Sequence, residues 1–145
     1  WLYGTVQPHD KCPPFPSRQR RIGARAQCRM MHVDCVIPAH EKDFDTLDHT
    51  IASVRRCCPE VGRIVVISQA RWTDTAGAGA EWFDEAAEVW PFRKADLEEC
   101  GCQPGWLLQQ LLKLHAPLLV PGLAANVLVC DADVVWLDPG GVRFF

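Results

Sequence analysis

The residues of this chain best suited to chemistry stand near its C-terminal end, in Asn126-Val127-Leu128-Val129-Cys130-Asp131-Ala132-Asp133-Val134-Val135-Trp136-Leu137. An apolar run leads straight into two aspartates, and a second apolar run follows them. The first run reads as a strand buried on both faces, as in a parallel sheet. On extended chain, carboxylates at i and i+2 point to one side, roughly 7 Å apart at ~3.3 Å per residue. They would emerge where a parallel strand ends, the usual position of a ligand in an open α/β sheet. Two hard oxygen donors there suit Mg²⁺ or Mn²⁺ carrying a phosphate.

The elements that must position this pair lie upstream. His32-Val33-Asp34-Cys35-Val36-Ile37-Pro38 reads as a first strand, closed by Pro38 because proline cannot donate to a ladder. A polar loop, Ala39-His40-Glu41-Lys42-Asp43-Phe44, leaves its C-terminal end. Asp45 is placed to cap a helix over residues 46–57, with Leu47, Ile51 and Val54 as its apolar stripe. Arg55 and Arg56 suit the negative end of that helix's dipole, and Pro59 stops it. Arg63-Ile64-Val65-Val66-Ile67-Ser68 is a second buried strand. Strand, helix and strand at this spacing predict a right-handed βαβ unit and a parallel sheet.

The loop over 69–80 contains Gly77 and Gly79, yet a dinucleotide fingerprint would need its third glycine where Trp82 stands. A short third strand is expected over 81–85, ending in Asp84 and Glu85. One short helix around 95–99 interrupts an irregular stretch. A longer helix over 105–115 follows, with Leu107, Leu108, Leu111, Leu112 and Leu114 as an apolar arc. Trp106, Gln109, Gln110 and Lys113 form its opposing stripe, Pro117 ends it, and Gly122 turns the chain into the strand before Asp131.

At 145 residues and 48% apolar composition, the chain has one domain's worth of core. It contains no uninterrupted apolar run of membrane-spanning length. The net charge of −3 is unevenly spread. Residues 1–31 carry six basic residues (Lys11, Arg18, Arg20, Arg21, Arg25 and Arg29) against Asp10 alone, while the remainder carries nine basic and seventeen acidic ones. With Pro8, Pro13, Pro14 and Pro16, residues 1–31 read as a basic, proline-containing tail or linker, and order is expected from His32. Nucleic-acid binding would rest on that tail alone, without an aromatic platform or recognition fold, and is not expected.

Eight cysteines invite a disulfide framework, but Cys35 and Cys130 fall within expected buried strands. Cys57 and Cys58 are adjacent at a helix end, and Cys100-x-Cys102 lacks the spacing of a zinc knuckle. A structural zinc site is therefore not expected, and the compartment stays open.

With its elements in this order, the chain resembles the N-terminal part of a GT-A nucleotide-sugar glycosyltransferase. The likeness is carried by the strand and loop from Val33 to Asp43, by the helix Gly105-Trp106-Leu107-Leu108-Gln109-Gln110-Leu111-Leu112-Lys113-Leu114, and by Asp131-Ala132-Asp133 with Val134-Val135-Trp136-Leu137. It is most similar to an uncharacterised glycosyltransferase-like family, with a D-x-D context like that of family-8-type transferases, and it covers residues 32–140. The resemblance implies an α/β fold: a Rossmann-like parallel sheet with flanking helices, the GT-A nucleotide-diphospho-sugar transferase fold, truncated at the C-terminus.

Residues 32–145 would then form the N-terminal, donor-binding part of such a domain. Asp133, and with it Asp131, would hold Mn²⁺ or Mg²⁺ on the donor diphosphate. Pro38, Ala39, His40 and Glu41 would line the base and ribose, and Asp84 with Glu85 would reach the ribose. Lys113 and Gln109 would approach the phosphates, and Trp106 and Trp136 would pack in the core or at the rim. The implied partners are a nucleotide-sugar donor and a glycan, protein or small-molecule acceptor. The acceptor half and any catalytic base would lie beyond Phe145, so the piece alone is expected to be inactive.

Two other readings compete. A haloacid-dehalogenase-type phosphatase would use Asp131 as nucleophile and Asp133 as general acid. Its motif usually continues Gly-Thr or Gly-Val near the start of a domain, whereas here Val134-Val135 follows and the motif comes late. A non-catalytic α/β binding module would make the two acids incidental.

Overall fold

All six residues of the first strand, β1 (Val33–Pro38), are buried, because the strand has a neighbour on each edge and a helix over each face. The computed structural model describes residues 32–75, 77–101, 103–138 and 141–144, and of Cys100 the backbone alone. The basic segment 1–31 lies outside the described residues. After β1 come α1 (Phe44–Cys57), β2 (Val61–Ser68), β3 (Ala80–Asp84), α2 (Lys94–Leu97), α3 (Pro104–Leu119) and β4 (Asn126–Val129). The strands form one sheet in the order β3-β2-β1-β4, parallel at every pairing. Among the described residues, no helix is long and apolar enough to cross a membrane.

Period-2 alternation in the central strands builds a core on each face. Cys35, Ile37, Ile64 and Val66 pack with Leu47, Ile51 and Val54 of α1. Val36, Val65 and Ile67 face the other way, onto Leu108, Leu112 and Ala116 of α3 and onto Trp90. The expected stripe of α1 is thus its buried face. The helix begins earlier than expected, at Phe44, after a 3-10 turn over Glu41–Asp43. Asp45 lies inside its first turn rather than at its cap, and His40 caps the preceding turn, its Nδ1 accepting the Lys42 N–H at 3.3 Å.

Arg55 does more than face the dipole of α1. Its guanidinium donates to the carbonyls of Val61 (3.2 Å), Gly62 (2.6 Å), Ala78 (2.9 Å) and Gly79 (3.0 Å). It therefore ties the end of α1 to the start of β2 and to the glycine loop. That loop folds around Asp74, whose carboxylate accepts the N–H groups of Ala78 (3.1 Å), Gly79 (2.8 Å) and Ala80 (3.1 Å). Burial alone would raise the Asp74 pKa, but these backbone donors outweigh it and hold the carboxyl below its ordinary range. Gly77 and Gly79, both at positive φ, serve this carboxylate-centred turn.

Three expectations are corrected. Pro117 lies inside α3, whose last turn closes with the Val120 N–H on the Ala116 carbonyl at 3.0 Å. The proline cannot give Lys113 the bond its N–H would have made, yet the helix continues past it to Leu119. Leu114 is 69% exposed and does not join the apolar arc. β4 packs on both faces, Leu128 on the α1 side and Val127 on the α3 side, but it is only half-buried because β1 is its one strand partner among the described residues.

Cys35 and Cys130 sit in the core as the small hydrophobes expected of them, while Cys12, Cys28, Cys102 and the Cys100 side chain lie outside the described residues. Cys35, Cys57, Cys58 and Cys130 are free and buried, and burial pushes the Cys35, Cys58 and Cys130 thiols up, Cys35 the furthest.

Strand register is fixed at the opposite end of the sheet from Asp131. The Asp34 side chain is 2% exposed, and it accepts the Arg63 N–H at 2.9 Å and the Ala124 N–H at 2.7 Å. One carboxylate thereby joins β1, the start of β2 and the approach to β4. Gly62 lets β2 approach it closely, since a Cβ there would crowd Asp34 Oδ1 at 3.0 Å and push the exposed His32 ring aside. Asp34→Ala leaves both N–H groups without their acceptor and should cost about 3 kcal/mol. Urea denaturation should show a lower midpoint with an unchanged slope.

Candidate functional site

The C-terminal ends of β1, β2 and β3 open onto a cleft of about 510 Å³, within the range of small-molecule sites. β1 and its loop contribute Pro38, Ala39, His40, Glu41, Lys42 and Asp43, while Gln69 and Ala70 follow β2 and Glu85 follows β3. The opposite wall is Lys94 of α2 with Gln103, Gly105, Trp106, Leu108, Gln109 and Leu112 of the α3 region. Trp106, 58% exposed, stands at the rim. An aromatic ladder braces this wall from behind, running from Phe83 to Trp90, Phe92 and His115 with ring centroids 5.8, 6.0 and 5.1 Å apart.

Asp131 and Asp133 do not line the cleft; they lie beside its wall. The Cys130 N–H continues the pairing of β4 with β1 onto the Val36 carbonyl at 3.0 Å, bringing Asp131 to the level of Pro38. From there the chain turns. Ala132 and Asp133 form a turn, and the Val134 N–H lies 3.4 Å from the Asp131 carbonyl. The expected extended geometry of the two acids is thus replaced by a bend that leaves Asp133 exposed and Asp131 half-buried.

Buried hydroxyls of α1 hold this bend. Thr50 donates to the Ala132 carbonyl at 2.8 Å, and Ser53 accepts the Trp136 N–H at 3.0 Å. Arg56 and the Cys57 thiol both donate to the Trp136 carbonyl, at 3.2 and 3.3 Å. Trp136 itself packs against the α1-side core, as expected of it. The polar positions on the inner side of α1 therefore receive the chain as it leaves β4.

Lys113 forms an ion pair with Asp131 Oδ1. The lysine side chain is 19% exposed and the aspartate 47%, so the pair is only partly hydrated. One turn earlier on α3, Gln109 lines the cleft. Gln109 in the cleft and Lys113 on Asp131 thus stand one helical turn apart on α3.

Of the residues singled out in the sequence, Pro38, Ala39, His40, Glu41, Gln109 and Glu85 meet in the cleft, and Lys113 meets Asp131. Asp84 does not line it: its Oδ1 accepts the Ala86 N–H at 2.8 Å and its carbonyl accepts Trp90 Nε1 at 3.0 Å, shaping the turn after β3. Gln69, Lys94, Gln103 and Trp106 were not assigned to the site from sequence. They converge from three separate segments, the end of β2, α2 and the start of α3, and no local pattern marks such convergence.

For a cation, the donors present are the hard carboxylate oxygens of Asp131 and Asp133. The Lys113 ammonium already stands where positive charge would sit on Asp131. Among the described residues, no three His, Cys, Asp or Glu side chains are grouped to hold a metal ion. One or two carboxylates completed by water and ligand phosphates are a usual Mg²⁺ arrangement, so the pair fits that group.

Comparison of the chain with protein-family models, with curated proteins and with solved structures finds no match.

Glu85 also lines a smaller adjoining cavity of about 230 Å³ that shares Gln69, Lys94 and Leu108 with the cleft. Burial raises its pKa; Lys94 and His40 oppose that shift, and Asp84 adds to it. A carboxyl raised on folding holds its proton more tightly in the native state, so its ionisation costs stability above the ordinary carboxylate range. Glu85→Gln should therefore raise Tm at pH 7. Thermal melts from pH 7 down to pH 4 should show the difference between variant and parent shrinking as Glu85 is protonated in both states.

Proposed function

We propose that this chain is the donor-binding part of a metal-dependent glycosyltransferase, one that takes a nucleotide sugar and passes the sugar to an acceptor. The observation that carries this reading is the cleft at the C-terminal ends of parallel strands, with Asp131 and Asp133 beside its wall. Its volume of about 510 Å³ and its mixture of amide, acidic, basic and apolar groups suit a nucleoside better than a bare sugar or lipid. The resemblance in sequence order, strand–loop, Gln-Gln-Lys helix, then apolar strand and D-x-D, supports the same assignment.

In this reading Pro38 and Ala39 floor the base pocket, and His40 and Glu41 border the ribose. Gln109 faces the diphosphate from the helix wall. Asp131 and Asp133 hold Mn²⁺ or Mg²⁺, and Lys113 adds a positive charge that does not depend on the metal. A bound metal supplies Lewis-acid stabilisation of the charge developing on the departing diphosphate. The buried hydroxyls of Thr50 and Ser53 keep the D-x-D bend in place, so its carboxylates need little reorganisation on binding.

The test is ligand binding. A panel of uridine, guanosine, adenosine and cytidine diphosphates should include at least one that binds the chain tighter with Mn²⁺ than with chelator. Asp131→Asn combined with Asp133→Asn should abolish that increment, which we expect to be about tenfold or more. Calorimetric titration with an increment that survives the double substitution would sink the assignment.

A further inference from the structure

The Lys113–Asp131 contact carries a consequence for how a cation and a diphosphate would share the site. Asp131 is the more buried of the two aspartates, and one of its oxygens is already taken by an ammonium group. The lysine stem is itself largely buried, so Lys113 lies packed between α3 and the end of β4 rather than drifting in solvent. A divalent cation arriving alone at Asp131 must displace the ammonium or bind beside it. Displacement strips a partly buried lysine of its partner, and coexistence places two positive centres against one carboxylate.

A diphosphate changes that balance. Its oxygens offer the displaced ammonium a new anionic partner, and a flexible four-carbon stem lets Lys113 turn from Asp131 toward the Gln109 side of the helix. We infer that Lys113 is the resident counter-cation of Asp131, a positioning residue that suppresses binding of a divalent cation alone and makes cation and diphosphate bind as one unit. This rests on the donor-binding reading above and adds an order to it. By linkage, the diphosphate must strengthen cation binding by the same factor as the cation strengthens diphosphate binding.

The test uses Mn²⁺ alone as its first probe, followed by the free-ion electron paramagnetic resonance signal, on the parent chain and on Lys113→Met and Lys113→Gln. Removing the ammonium should tighten Mn²⁺ binding about tenfold in either variant. Asp131→Asn on the Lys113→Met background should erase that gain, which a purely structural lysine would not produce. The second probe is whichever nucleoside diphosphate the panel identifies: its Mn²⁺-dependent gain should be smaller in the Lys113 variants than in the parent.

Unchanged or weaker Mn²⁺ binding in variants whose circular dichroism matches the parent overturns the inference, even where diphosphate binding still depends on both aspartates. A gain in Mn²⁺ affinity without binding of any diphosphate upholds the competition at Asp131 and overturns the donor-binding reading instead. A variant that fails to fold leaves the other variant and the parent's own coupling between Mn²⁺ and diphosphate to decide. Parent Mn²⁺ affinity that is the same with and without diphosphate overturns the inference.

Discussion

The fold depends on a carboxylate shut away from water. Asp34 stays buried because each of its two oxygens accepts a backbone N–H, from Arg63 and from Ala124. An acid in such a position is tolerated only when it is paired, and the pairing here is with the backbone of β2 and of the loop that enters β4. Because the sheet is parallel, fixing the strands at that end also fixes where they finish at the other. The ends of β1 and β2 at Pro38 and Ser68, and Asp131 after β4, follow from it, while β3 takes its place from its own pairing with β2. The site is therefore positioned by a residue that takes no part in it.

Its other acids are treated differently according to where they stand. Asp74 is surrounded by backbone donors and serves only to shape a loop. Glu85 is kept in a partly buried setting where burial raises its pKa despite Lys94 and His40. Asp131 has a lysine, and Asp133 projects into solvent at a bend. The structural acids have both carboxylate oxygens engaged by backbone N–H groups, whereas Asp133 projects into solvent and Asp131 has one oxygen engaged by a lysine. That contrast separates scaffold from site without appeal to any motif.

Much of the scaffold was legible in the residues. β1 and β2 read directly, since continuous Val and Ile runs bounded by Pro38 and Ser68 have few other uses. The stripe of α1 was equally plain. Other features were legible only in part, for physical reasons. An apolar run such as Asn126–Val129 looks the same whether one or both of its edges are paired, so its edge position was hidden. Pro117 signals a helix end, yet α3 runs two residues past it to Leu119, so the proline marks the last turn rather than the last residue. The pairing of Lys113 with Asp131 joins residues 18 apart on a helix and a strand end. A helical stripe can place the lysine on a polar face, but only the seating of α3 on the sheet decides what that face meets. Gln69, Lys94 and Gln103 share the cleft through the same kind of convergence, and no spacing announces it.

The buried sulfurs give the core a clock. Thiol reagents attack the thiolate, and burial keeps Cys35, Cys58 and Cys130 protonated at neutral pH beneath α1 and the sheet. Alkylation at these positions must wait until the layer between α1 and the sheet admits solvent. Where closing outpaces labelling, the rate then measures the fraction of molecules standing open rather than the intrinsic reactivity of any one sulfur. The same burial that makes these cysteines chemically quiet thus turns them into internal gauges of how often this half of the molecule breathes.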